Sequence, residues 1–224
     1  MLGRTAKLRV YAPADYESLF KQQIDFFLKT MEYEVEFVPV DTGQSQVVYE
    51  DRSVTVETVP LCHRIPCCGF LFREKPSLPH IRREMIDALE IPVSQINNIK
   101  NGMDWTTADG TVVPNSRLVT PADPVRSYAY CSDTAYMPQL HKQLLGVSLL
   151  YHESTYGKDN EANARKYFHS TAADAARVAR DAEVGRLLLG HYSARYDDET
   201  VLLNEARAIF PNTVLADEMK VFGV

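Results

Sequence analysis

Three short apolar runs, Ser127–Cys131, Ser148–Tyr151 and Arg186–Leu189, are each followed within two residues by an Asp or His: Asp133, His152 and His191. Runs of this length, bounded by turn residues, read as strands buried in a sheet. Between the last two lies Thr171 to Ala182, a helix with Ala172, Ala175, Ala176 and Ala179 at close-packing positions. Asp197 to Ile209 reads as a second helix. Strand and helix alternating through this half predict α/β layers around mixed sheets. They also put polar, metal-competent side chains at strand ends and loops.

The first half fits the same class. Lys7 to Tyr11 alternates and precedes Ala12-Pro13, a strand leading into a helix with Pro in its first turn. Leu19, Phe20, Ile24, Phe27, Leu28 and Met31 then form one apolar helical stripe. Val35–Val40, Gln46–Glu50, Val54–Val59 and Cys68–Phe72 read as short strands. The stretch around Pro76, Pro79, Pro92, Gly102 and Gly110 breaks the pattern, holds a short helix from about His80 to Leu89, and reads as an excursion from the core. Val214-Leu215 and Met219–Phe222 finish the chain. A length of 224 residues suits one large domain or two small ones.

Composition narrows the setting. No run reaches the roughly 20 apolar residues that cross a bilayer, and Met1-Leu2-Gly3-Arg4 does not begin a secretory leader, so the expected location is the cytoplasm. The net charge of −6 argues against a nonspecific nucleic-acid coat but leaves room for a local RNA contact. No C-x-x-C pair occurs among Cys62, Cys67, Cys68 and Cys131, which disfavours a Cys₄ zinc site. Adjacent Cys67 and Cys68 are poorly placed for an ordinary disulfide, so reduced thiols are expected.

The chemistry concentrates in a few residues. His63 follows the strand Val54–Val59 and precedes Ile65-Pro66; Asp133 follows Tyr128-Ala129-Tyr130-Cys131; His191 follows Leu187-Leu188-Leu189-Gly190. Each alone has a structural alternative: a hydrogen-bonded histidine, or a turn or helix-capping aspartate. Together they are two imidazoles and one carboxylate, a donor set that zinc accepts. A carboxylate can bridge two metals, and a metal pair suits phosphodiester displacement. His152-Glu153-Ser154-Thr155 and His169-Ser170-Thr171 add a carboxylate and a histidine suited to proton transfer; a histidine held by a carboxylate is a sound general acid near neutral pH.

These motifs resemble those of ribonuclease Z, the zinc-dependent tRNA 3′-processing endonuclease of the metallo-β-lactamase fold. Pro60-Leu61-Cys62-His63-Arg64-Ile65-Pro66 is similar to its third-motif histidine segment, Ser132-Asp133-Thr134 to its Gly-Asp-Thr, and Gly190-His191-Tyr192-Ser193-Ala194-Arg195-Tyr196 to its final histidine with Ser-x-Arg-Tyr. The two polar motifs resemble its His-Glu-Ala-Thr and His-Ser-Thr. The resemblance implies an αββα sandwich over residues 1–224 and a two-zinc site to which His63, Asp133 and His191 contribute. It implies that Glu153 orients His169, the proton donor to the leaving group. It also implies a short protruding arm over 72–112 that contacts precursor tRNA, and a homodimer. The family's first motif, His-x-His-x-Asp-His, occurs nowhere in the 224 residues. The expectation is therefore an N-terminally incomplete domain with little activity alone. Two alternatives remain: a phosphodiesterase of this fold acting on small substrates, and a non-catalytic tRNA-binding or dimerisation fragment. His80 and His141 match no ligand motif.

Overall fold

Residues 4–27 and 33–224 are described in the computed structural model of the chain. Leu28 and Met31, the end of the expected first-helix stripe, lie outside the described residues, as do residues 1–3. The first half runs β1 (Leu8–Pro13), α1 (Glu17–Phe27), β2 (Val35–Val40), β3 (Val47–Glu50), β4 (Val54–Pro60) and β5 (Cys68–Glu74). A middle stretch holds β6 (His80–Ile81), α2 (Arg83–Ala88), α3 (Val93–Lys100), β7 (Trp105–Thr106), β8 (Val112–Val113), α4 (Asn115–Leu118) and β9 (Val119–Thr120). The last part runs β10 (Ser127–Cys131), β11 (Leu149–Glu153), α5 (Glu161–Tyr167), α6 (Ala172–Asp181), β12 (Arg186–Gly190), α7 (Thr200–Arg207) and β13 (Thr213–Leu215). Contacts divide the chain into two units, Met1–Arg73 with Arg126–Val224, and Glu74–Val125.

In the larger unit seven strands form one mixed sheet in the order β13-β12-β11-β10-β5-β4-β3, beside a two-stranded parallel pair β1-β2. Strands β10 to β13 are parallel, and β5 meets β10 antiparallel. Cys131 pairs with His152 and His152 with Leu189, while Glu153 pairs with Gly190. Three parallel strands thus end nearly level, and whatever follows them gathers at one carboxyl edge, where α/β sheets commonly build their sites. Along β10, buried Ser127, Ala129 and Cys131 alternate with the less buried Tyr128 and Tyr130, the period-two signature of one covered face. Helix α6 packs on β11 and β12 through Ala172, Ala175, Ala176 and Ala179, all fully buried. Small side chains let the helix approach closely. Thr171 caps it, accepting from the Asp174 amide while the Asp174 carboxylate accepts from the Thr171 amide, a reciprocal arrangement that satisfies two otherwise orphaned donors.

Two glycines permit this packing. A Cβ on Gly69 would lie 2.3 Å from the Tyr130 carbonyl oxygen, and one on Gly190 would lie 2.2 Å from the Tyr151 hydroxyl.

The smaller unit has its own core of Ile91, Ile99, Val113 and Leu118. Trp105 donates its ring N–H to the Leu89 carbonyl at 3.2 Å. Here the structure departs from expectation. His80-Ile81 pairs with Thr120 and Val119 as strand, so the expected helix from His80 shortens to Arg83–Ala88. A further helix, α3, starts directly after Pro92. Proline disfavours helix in the residue before it but suits a helix start, and Ile96 and Ile99 recur at helical spacing. Helix α7 also begins later than expected, at Thr200. Asp198 accepts from the Thr200 amide at 2.9 Å and hydroxyl at 2.7 Å, which holds the preceding residues in a turn. Strand β11, expected to stop at Tyr151, continues through His152 and Glu153.

Candidate active site

The five residues singled out from the sequence lie together at the carboxyl edge of the main sheet. Asp133 stands two residues beyond β10, Glu153 is the last residue of β11, and His191 immediately follows β12. His63 comes from the loop after β4. That loop is tied to the Asp133 turn: the Cys62 amide donates to the Thr134 hydroxyl at 3.2 Å, and the Cys62 carbonyl accepts from the Ala135 amide at 2.7 Å. His169 occupies the link between α5 and α6. His63, Asp133 and His169 each present a donor atom within 4.8 Å of the others, and Glu153, His169 and His191 form a second such group. His191 Nε2 lies 3.3 Å from Asp133 Oδ1, closing the cluster.

Beneath it sits Glu153, with no exposed surface. Its Oε1 accepts from the Thr134 amide at 2.5 Å and faces His169 Nδ1 at 3.0 Å. Its Oε2 accepts from the Thr155 hydroxyl at 2.5 Å and the Ser170 amide at 3.1 Å. A buried carboxylate needs this many donors to offset lost hydration. Burial pushes the Glu153 carboxyl up, but the bonds from His169 and Thr155, the His169 charge and the Ser170 amide outweigh it, leaving the group below its ordinary value. The same bond to Glu153 is the main reason His169 keeps its proton above the usual imidazole range, against its own partial burial.

The hydrogen bonds also assign tautomers. His63 Nδ1 lies 2.9 Å from the Phe168 carbonyl, which can only accept, so Nδ1 carries the proton. The Thr155 hydroxyl gives its hydrogen to Glu153, so at His191 Nδ1, 2.8 Å away, it accepts. In both neutral rings Nε2 is then the nitrogen left to bind a metal, and that of His191 faces Asp133 Oδ1. Histidine metal ligands are characteristically fixed in this way through the other ring nitrogen. Two imidazoles so committed, with a half-exposed carboxylate between them, fit a borderline divalent cation such as zinc.

Backbone conformation adds a further mark. Asp133 (φ 57°), Phe168 (φ 60°) and His191 (φ 57°) occupy the left-handed region, which costs a non-glycine residue of order 1 kcal/mol or more and clusters at functional sites. Of the histidines set aside from the sequence, His80 pairs with Asp123 at 3.2 Å and His141 bonds the Pro138 carbonyl at 2.6 Å. Sequence reasoning gave Thr155 and Phe168 no role. Thr155 lies two residues beyond Glu153 in an extended stretch, so the period of two puts both on one side, a signal that was available. Phe168 offered none.

The fold has counterparts among solved structures. Human tRNase Z, short form, superposes with a TM-score of 0.57 at 17% identity, over 96% of this chain and 66% of that one. The metallo-β-lactamase fold protein YhfI of Bacillus subtilis gives 0.57 at 17%, over 94% and 62%. The architecture is thus that of the metallo-β-lactamase fold. No protein-family model matches the chain. In sequence it is similar to the ribonuclease Z of Phocaeicola vulgatus, 54% identical over 218 residues that make up 97% of this chain and 71% of that protein. The ribonuclease Z of Porphyromonas gingivalis W83 is 43% identical over 218 residues, 72% of its length. The chain belongs to the ribonuclease Z family.

Proposed function

We propose that this chain carries part of the catalytic centre of a zinc-dependent endoribonuclease that removes the 3′ trailer from precursor tRNA. What chiefly supports the reading is the convergence of His63, Asp133, His169 and His191 above a buried, fully hydrogen-bonded Glu153, in a chain about half identical to relatives named ribonuclease Z. His63, Asp133 and His191 would hold metal. When bound, a metal pair supplies an activated water and charge stabilisation for phosphodiester hydrolysis.

The protein's own part is proton delivery and positioning. His169, paired with Glu153 through Nδ1, presents Nε2 as the donor to the departing oxygen. Because that pairing favours the protonated ring, His169 suits proton donation better than metal ligation, which needs a neutral imidazole. Glu153, held by the Thr134 and Ser170 amides and the Thr155 hydroxyl, fixes the ring. Thr155 holds His191 and Glu153 in mutual register. The arm expected over 72–112, most of which falls in the unit Glu74–Val125, is read as the tRNA contact, the working assembly as a homodimer, and the location as cytoplasmic; among the described residues no helix is long and apolar enough to cross a membrane. One carboxylate and two imidazoles are few donors for two zinc ions, since a catalytic zinc ordinarily has three protein ligands. The 224-residue polypeptide alone is therefore expected to bind zinc weakly and cleave little.

Calorimetric zinc titration tests the ligand set. Binding should weaken at least tenfold in His63→Ala, Asp133→Ala and His191→Ala and change little in His169→Ala. Zinc binding indifferent to all three substitutions would remove the reading. Competition between precursor tRNA and a small chromogenic phosphodiester addresses the substrate: preferential binding of the small ester would favour a phosphodiesterase.

A further inference from the structure

Next to the candidate site lies a separate pocket of about 280 Å³ whose lining includes His169, Tyr136, Phe168, Glu161, Arg165 and Asp174. His169 belongs to both, so whatever fills this pocket is an immediate neighbour of the group that reacts at the metal cluster. We propose that the pocket receives a nucleobase of the RNA flanking the cleaved phosphodiester, stacked against Phe168 and Tyr136. This rests on the ribonuclease reading given above.

The walls favour a base over a phosphate or an aliphatic group. Phe168 and Tyr136 supply aromatic side chains, and Phe168 is 40% exposed. Two carboxylates also line the pocket. Asp174 is engaged by Thr171 and by Arg177 at 2.6 Å, and the half-buried Glu161 is paired with the exposed Arg165 in the next helical turn. With each carboxylate paired to an arginine, such walls offer no excess positive charge to hold a phosphate. They suit the edge of a base, whose ring and amino N–H groups need acceptors and whose ring nitrogens and carbonyls need donors such as Arg165. Base–aromatic stacking tolerates any base and is a common way to hold single-stranded nucleic acid.

The backbone points the same way. Phe168 ends α5 in the left-handed conformation at φ 60°, where glycine would be unstrained. Phe168 belongs to neither apolar core cluster and keeps 40% of its surface exposed, so its ring has a face available to a ligand. Its carbonyl meanwhile holds His63 Nδ1. That task needs only the backbone. Ring and backbone functions are therefore separable by mutation.

The test uses Phe168→Gly, which deletes the ring and keeps the turn, Phe168→Tyr as the conservative rescue, and Tyr136→Leu. The probe is a tRNA acceptor-stem minihelix with a 3′ trailer, carrying 2-aminopurine on either side of the processing site, titrated into the 224-residue chain with zinc. One labelled position should be quenched by the wild type and by Phe168→Tyr. Phe168→Gly should melt no lower than wild type yet bind about 5- to 150-fold more weakly, the range one base–aromatic stack supports. Tyr136→Leu should weaken binding in the same sense. Tight binding with neither position quenched, or an unchanged affinity in Phe168→Gly, would overturn the base pocket and leave the ribonuclease reading standing. Failure of the wild type to bind the minihelix at all would overturn both.

Discussion

Replacing Glu153 by Gln tests the core of the site without changing its shape. Glu153 is completely buried and faces four donors: the Thr134 and Ser170 amides, the Thr155 hydroxyl and His169 Nδ1. Glutamine turns one acceptor oxygen into an N–H₂ group. If that group takes the Oε1 place it meets the Thr134 amide; if it takes the Oε2 place it meets the Ser170 amide. In either orientation one buried backbone donor loses its acceptor, which costs about 1–3 kcal/mol. Loss of the charge-assisted contact with His169 adds about 1–2 kcal/mol. The sum, about 2–5 kcal/mol, is in line with the roughly 3–5 kcal/mol seen when one partner of a buried ion pair is removed. In a domain of this size each kcal/mol moves the melting temperature by about 2–4 °C, so scanning calorimetry on metal-free protein should register a fall of roughly 4–20 °C. His169 should also lose its main reason for holding a proton and titrate lower by NMR. A Glu153→Gln variant melting within about 2 °C of wild type would refute the claim that this carboxylate organises the site.

Three other outcomes follow from the same geometry. Asp133→Gly should raise thermal stability by about 1 kcal/mol, because glycine occupies φ 57° without strain, while zinc binding measured by calorimetry falls. Gly69→Ala should lower the stability read from urea unfolding by about 2 kcal/mol or more, since its Cβ would meet a strand carbonyl at 2.3 Å that cannot move aside as a side-chain tip can. Buried His152 has its pKa lowered, chiefly by burial and despite its bond to the Glu153 carbonyl. The unfolded state then takes up more protons near and below the ordinary imidazole value, so stability drops as pH falls through that window. Urea midpoints at about pH 7.5 and about pH 5.5 should differ more in wild type than in His152→Asn.

Much of the fold could be read from residue patterns, and the misses have identifiable causes. Ser127–Cys131 is a strand over the residues expected, because its alternation and apolar content agree. Helix α6 was legible in the alanines that its packing requires. The middle stretch was not, because its strands are only two residues long, and β6 owes its existence to a partner about 40 positions away, Ile81 pairing with Val119. Pro92 was visible, but a proline can mark either the end of one element or the start of the next. Strand β11 was cut short at Tyr151 because His152 and Glu153 look like loop residues; only the Glu153 hydrogen-bond set makes burying them tolerable.

At the site, residue identity was legible and conformation was not. His63, Asp133 and His191 stood out by type and by their places after apolar runs, and Glu153 and His169 by the motifs His152-Glu153-Ser154-Thr155 and His169-Ser170-Thr171. Nothing local marks Asp133, Phe168 or His191 as left-handed, since aspartate and histidine adopt that region only occasionally and phenylalanine rarely. The cause lies in the tertiary structure. Strands β10 and β12 run parallel and end level on either side of β11, so Asp133 and His191 can meet at 3.3 Å only if the chain turns sharply as it leaves each strand. The strain at both positions is stabilised by contacts that the turns themselves create: Cys67 Sγ on the Asp133 carbonyl at 3.3 Å and Thr155 on His191 at 2.8 Å. A candidate site assembled from strand ends therefore carries its strain at the residues proposed to hold metal, and relief of that strain and loss of metal affinity should appear together in the same substitution.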